Sequence, residues 1–269
     1  MTMQLEMTDA GLSVAKAVVG IDETGATRNI QLVGERAMTI YVDKQEIVTL
    51  MTIGSHPELL TLGYLKNQVF FEHINEIKVV QVDWETESVA VVTSEESSDF
   101  SQQMQRRTVT TGCGQGTVFG RLMEKLQKIR VPENHVRQST LYALLDSVRA
   151  HNEVYKKAGA VHGCALYAAD QLEIFVEDVG RHNAVDAIAG HMWLQGISGD
   201  NKIFYTTGRL TSEMVIKISQ MGIPVLLSRS GATQMGLEMA QLSGVTLISR
   251  SKGKHFMVLN GAQNIEFDV

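Results

Sequence analysis

Cysteine is scarce in this chain. Two residues, Cys113 and Cys164, are too few for a disulfide scaffold, and in a reducing compartment each is a free thiol with a chemical or a packing role. Long apolar runs are missing, which excludes an obvious membrane span, and Met1-Thr2-Met3-Gln4-Leu5-Glu6 lacks the basic and apolar regions of a signal peptide. The expected location is therefore cytoplasmic. Positive charge is in deficit: a net charge of −6 argues against a dedicated nucleic-acid binder, while leaving room for a local basic site for a phosphorylated ligand. No internal repeat is present. What the chain does have is 269 residues with 44% hydrophobic and 20% charged content, enough to bury one large core or two moderate ones, and two domains is the reading adopted.

The first third reads as α+β structure. Ala37–Val42 and Gln45–Met51 flank Asp43-Lys44 as a hairpin, and Lys78–Asp83 with Ser88–Val92 make a second. Between them Ser55-His56-Pro57-Glu58 has capping-box spacing, with proline in the first turn and Leu59, Leu60, Leu62 and Gly63 continuing the helix. The polar stretch from Thr93 to Met104 leads into Arg106–Gly116, expected as a flexible arm ending in a glycine-rich loop around Cys113.

Past Pro132 the pattern changes, so the domains are drawn as 1–132 and 133–269. A helix from near Ser139 carries Leu141, Leu144, Leu145 and Val148 on one face. Strands are then expected at Val161–Tyr167, Leu172–Val176, Ile203–Thr206, Val225–Ser228 and Val245–Ile248, with helices near His182–Leu194, Ser212–Met221 and Thr233–Leu242. This alternation predicts an α/β fold with a mainly parallel sheet and helices on both faces.

The densest cluster of chemistry is Glu177-Asp178-Val179-Gly180-Arg181-His182-Asn183-Ala184-Val185-Asp186, set between an apolar strand end and an apolar helix face. In open α/β sheets, ligands sit at such places. Arg181 and His182 are candidates for ligand contact, Asp178 or Asn183 for capping, and Asp186 for pairing with Arg181. Gly208-Arg209 precedes Thr211 and Ser212, either of which can cap a helix whose free N–H groups receive a phosphate, and Ser230-Gly231-Ala232-Thr233 repeats that arrangement. Arg250-Ser251-Lys252-Gly253-Lys254-His255, between two strands, is the most compact basic turn and could grip a diphosphate; a solvated basic hairpin is the plainer alternative.

These segments, in the order Gly112-Cys113-Gly114, His162, Glu177–Asp186, Gly208–Met214, Ile223–Leu226 and Ser230–Thr233, resemble the FdhD family of formate dehydrogenase accessory sulfurtransferases from about Arg36 to the C-terminus. The resemblance implies a C-terminal cytidine-deaminase-like three-layer α/β domain behind a smaller N-terminal α+β domain. It implies passage of sulfur from a cysteine desulfurase to the molybdenum or tungsten bis(molybdopterin guanine dinucleotide) cofactor of formate dehydrogenase, with no intrinsic metal. It also implies a homodimer, and Arg250–His255 as the segment that meets the cofactor.

A sulfur carrier needs one accessible thiolate. Cys113 lies between two glycines, which leave its sulfur approachable, and Arg106 and Arg107 would lower its pKa if the arm folds back. Many family members carry Cys-x-x-Cys in this loop, whereas here the second position is Gly116, so an intramolecular disulfide there is impossible. Cys164, in Gly163-Cys164-Ala165-Leu166-Tyr167, reads as a buried structural thiol. Two other functions compete. A zinc deaminase would need H-x-E together with a Cys-x-x-Cys pair that the chain lacks, and His56-Pro57-Glu58 stands in a helix-start context. A chaperone that binds the cofactor without moving sulfur fits the missing second loop cysteine.

Overall fold

The computed structural model describes residues 5–13, 15–94, 108–109, 116–117 and 126–269. The N-terminal part runs β1 (Glu6–Met7), β2 (Ala15–Ile21), β3 (Thr27–Val33), β4 (Arg36–Val42), β5 (Gln45–Thr52), α1 (Pro57–Asn67), β6 (Ile77–Asp83) and β7 (Ser88–Thr93), with a short pair β8 (Thr108–Val109) and β9 (Gly116–Thr117). Then follow β10 (Val136–Arg137), α2 (Gln138–His151), α3 (Glu153–Ala158), β11 (His162–Ala168), β12 (Gln171–Asp178), α4 (Arg181–Gln195), β13 (Lys202–Thr206) and α5 (Ser212–Gln220). The chain ends with β14 (Val225–Ser228), α6 (Gln234–Ser243), β15 (Thr246–Lys252), β16 (His255–Asn260) and β17 (Ile265–Glu266).

The first sheet has the order β1-β6-β7-β4-β5. Both expected hairpins form. Asp43 and Lys44 turn β4 into β5 with φ of 44° and 71°, the two positive values of a type I′ turn. Strict alternation buries Met38, Ile40 and Val42 on one face of β4. Pro57 opens α1 as expected, but the capping box does not form: His56 is the N-cap, with no side-chain bond. Glu58 is instead drawn away to the N-terminal segment, accepting from Thr8 Oγ1 at 2.6 Å and from Ala10 N at 2.9 Å. A buried carboxylate takes the donors that tertiary packing brings to it in preference to a local cap.

The second sheet has the order β12-β11-β13-β14-β15-β16. It is mixed, not mainly parallel. Only β13–β14 and β14–β15 run parallel. Tight turns join β11 to β12 and β15 to β16, which forces those pairs antiparallel, and β11 also lies antiparallel to β13. Helices cover both faces. Leu141, Leu144, Leu145 and Val148 of α2 share a cluster with Ala165, Tyr167, Ile203, Tyr205 and Leu227. The alternate strand residues Cys164, Leu166, Phe204 and Leu226 belong to a second cluster with α4 and α5, and that cluster continues without a break into Met38, Ile40, Leu62 and Leu65 of the first sheet and α1.

Two glycines make this continuity possible. A β-carbon on Gly63 of α1 would stand 1.6 Å from the carbonyl oxygen of Asp186, and one on Gly190 of α4 would stand 1.9 Å from that of Leu59. The backbones of α1 and α4 therefore touch directly.

Candidate functional site

The parallel strands β13, β14 and β15 end side by side, and backbone bonds tie their exit loops together. Arg229 N donates to Thr206 O at 3.1 Å, Leu210 N to Gly231 O at 3.0 Å, and Arg250 N to Ser230 O at 2.9 Å. Ser228 Oγ donates to Gly208 O at 2.6 Å. The sequence candidates Arg209 and Ser230 thus stand on neighbouring loops, with Arg250, inside β15, bonded to the second of them, and Arg209, Arg229 and Arg250 are exposed. Arg250 holds a φ of 54°, a conformation L-residues rarely adopt.

The dense polar block is largely committed to the fold. Glu177 accepts from Val154 N at 2.8 Å and Tyr155 N at 2.9 Å, closing the first turn of α3. Asp178 accepts from Thr52 Oγ1 at 2.6 Å, Gly180 N at 2.9 Å and Asn183 Nδ2 at 2.8 Å, binding β5 to the start of α4. Burial pushes its carboxyl pKa up, against the pull of those donors. Asp186 does not pair with Arg181: its partners are Lys217 Nζ and Asn67 Nδ2, both at 2.7 Å. The reason is position, since Asp186 lies one turn deeper along α4, against α1 and α5.

Arg181 and His182 occupy the first turn of α4 and are buried. Gly208 accommodates the arginine, because a β-carbon there would meet Arg181 Cδ at 2.6 Å. Glu213 Oε2 lies 3.6 Å from His182 Nε2. Burial, then the charges of Lys217, Arg181, His162 and Arg209, hold His182 well below the usual histidine range, so its ring is neutral. His162, at the start of β11, is lowered by burial and by Arg181 and Arg209. Its Nδ1 stands 3.3 Å from Thr207 Oγ1, and both line a cleft of about 140 Å³ with Asn152, Tyr155 and Arg229. Neutral imidazoles amid fixed guanidinium charges form an electropositive surface suited to an anion.

His162, Thr207 and Arg229 are not among the sequence-derived site residues. Their signal is positional: Thr207 and Arg229 directly follow β13 and β14 where ligand-facing loops begin. The two predicted caps differ in outcome: Thr211 is the N-cap of α5 but makes no side-chain bond, whereas Thr233, ending the loop that repeats the arrangement, caps α6 by accepting from Gly236 N at 3.1 Å. The basic segment is split as well. Arg250, Ser251 and Lys252 continue β15, Ser251 is buried, and only Gly253 and Lys254 form the turn before His255, where Lys254 O accepts from Tyr142 OH at 3.3 Å.

Cys113 lies outside the described residues. Cys164 is fully buried, its Sγ donates to Thr206 Oγ1 at 3.2 Å, and burial pushes the thiol up to about 12. Among the described residues no group of three His, Cys, Asp or Glu side chains is placed to hold a metal, and no helix is long and apolar enough to cross a membrane.

Comparison with known proteins adds a lineage to this geometry. The chain is 30% identical over 237 residues to the sulfur carrier protein FdhD of Bacillus pumilus, covering 87% of this chain and 90% of that one. It is 27% identical over 236 residues to the same-named protein of Bacillus subtilis, covering 87% and 90%. A crystal structure of a candidate formate dehydrogenase accessory protein from Desulfotalea psychrophila superposes with a TM-score of 0.75 at 25% identity, over 95% of this chain and 100% of that one. The model of the FdhD/NarQ family matches residues 33–266, spanning the second sheet, all of the first sheet but β1, and every strand-end loop of the site, and the chain belongs to that family.

Proposed function

We propose that this protein is an accessory sulfurtransferase for formate dehydrogenase, carrying sulfur as a Cys113 persulfide. The Cys113 thiolate attacks the outer sulfur of a persulfide on a pyridoxal-phosphate cysteine desulfurase; the donor S–S bond breaks, the donor thiolate leaves, and Cys113 holds the sulfane sulfur. The Cys113 S–S bond then breaks, its sulfane sulfur passes to the metal of a molybdenum or tungsten bis(molybdopterin guanine dinucleotide), two electrons from the reduced metal centre convert it to a sulfido ligand, and the Cys113 thiolate is released. The cofactor is cargo. Its diphosphates are held at the strand ends by Arg209, Ser230, Arg250 and the Lys252–His255 segment, with Arg181 and His182 behind them.

The observation that carries this reading is the state of the second thiol. A sulfur carrier must present a thiolate, and Cys164 is buried with its pKa pushed up to about 12. Of the two cysteines, the chemistry therefore falls to Cys113. The reading keeps the division into 1–132 and 133–269, a cytidine-deaminase-like C-terminal domain, a homodimer and a cytoplasmic location. Gly116 favours a second reading, a chaperone that holds the cofactor without moving sulfur. Intact-protein mass spectrometry after incubation with a cysteine desulfurase and cysteine separates the two. A gain of sulfur that disappears in Cys113→Ala supports the carrier; no gain with a competent desulfurase supports the chaperone.

A further inference from the structure

A second cavity, of about 200 Å³, lies where the C-terminal ends of α1, α4 and α5 converge, away from the strand-end loops. Its walls are Ala189, Met192 and Trp193 of α4, Ile197 just beyond it, and Met221. The polar lining is Asn67, Gln220 and Lys66. Asn67 is 1% exposed and already spends its amide N–H on Asp186 Oδ1 at 2.7 Å. Gln220 differs: both Oε1 and Nε2 are shielded from solvent, and neither makes a hydrogen bond to the protein. An amide shielded from solvent in this way is destabilising unless something in the cavity pairs with it. Lys66 Nζ sits 4.8 Å from the centre of the Trp193 ring and donates to Glu72 O at 2.6 Å.

We infer that this cavity is a binding site for a small, flat, uncharged aromatic amide or lactam, whose adjacent donor and acceptor pair with the Gln220 side chain. Each part of that class follows from a wall of the cavity. The indole and the two methionines favour a flat apolar body, methionine being able to shape itself to it. The primary amide of Gln220 offers one acceptor and one donor side by side, which a ligand amide edge satisfies reciprocally. Net charge is disfavoured on both sides, since an anion would face the carbonyl ends of three helices and a cation would face Lys66. The site is independent of the sulfur chemistry. Asn67 nevertheless connects it to the Asp186–Lys217 pair, and so to the helix that begins at Arg181.

The probe is benzamide. With Trp84→Phe as background, Trp193 is the remaining tryptophan, and its fluorescence should change saturably on titration with benzamide. Gln220→Met, which keeps the bulk and removes the amide, should weaken binding about tenfold or more, or ~1.4 kcal/mol. In the unmutated ¹⁵N-labelled protein the Gln220 side-chain N–H₂ and the Trp193 indole N–H signals should move together along one saturable curve, so the result does not depend on the variants folding. A linear, unsaturable response equal in both proteins, unmoved Gln220 signals, or toluene binding as tightly as benzamide would each overturn the assignment.

Discussion

Asp186 and Lys217 meet at 2.7 Å with each side chain 1% exposed, joining α4 to α5 inside the protein. Asn67 completes the carboxylate's coordination from α1. Removing one member strands the other as a buried charge. Lys217→Met should therefore cost about 3–5 kcal/mol in urea unfolding, and the double change Asp186→Asn with Lys217→Met should recover a large part of it. A double variant no more stable than the single one would show that the pair is not the source of the loss.

The helix contact at Gly63 and Gly190 gives a second expectation. Gly190→Ala should destabilise by about 3 kcal/mol or more, because the new methyl meets the Leu59 carbonyl and neither backbone has room to yield. Gly34→Ala, where nothing lies within 4 Å of the added carbon, should be nearly neutral. Paired thermal melts check the contrast.

Alkaline pH tests Cys164. The folded protein keeps the thiol protonated up to about 12, whereas the unfolded chain releases the proton near the ordinary value of 9.0. Above that value the folded state binds more protons than the unfolded one, so stability present below pH 9 is lost as pH climbs toward 12, by at most about 1.4 kcal/mol per pH unit. Cys164→Ala should show a shallower decline. The same burial predicts that Cys113→Ser protein has no rapidly alkylated thiol until it is denatured, which iodoacetamide labelling with mass spectrometry reads directly.

Arg209 and Arg250 are exposed and can be changed without disturbing the core. Arg209→Ala and Arg250→Ala should each weaken binding of a guanosine diphosphate by about tenfold while leaving the melting temperature unchanged, and the loss should shrink as salt rises. Isothermal titration at two ionic strengths measures both effects. Unaltered affinity in both variants would move the anion site away from the strand ends.

The legible parts of the sequence were those governed by period and punctuation. Met38, Ile40 and Val42 alternate and form a strand; Leu141, Leu144, Leu145 and Val148 share a helix face and cover one side of a sheet. Strand direction was not legible, because the turns after Ala168 and Lys252 are short polar breaks whose consequence, two antiparallel edges, emerges only from pairing. The same limit applied to carboxylates. Glu58, Glu177 and Asp186 each found partners far along the chain or in another helix, a choice set by burial that no local spacing encodes. The strand-end loops carrying Arg209 and Ser230 were readable, since glycine and hydroxyl residues mark such turns. Thr207 and Arg229 were passed over because they look like ordinary ends of strands.

The bonds that join the two sheets also set a schedule for synthesis. Thr52 and Asp178 are separated by 126 residues, and Asn67 and Asp186 by 119. A ribosome finishes the first sheet and α1 long before it makes the helix against which Gly63 must lie. Until then the face of α1 that carries Leu60 and Gly63, buried in the finished protein, lacks the helix that covers it. Pairings this distant slow folding and lengthen the interval in which sticky surface is uncovered. Yield of the native protein should accordingly respond to translation speed, temperature and chaperone supply more strongly than its final stability suggests.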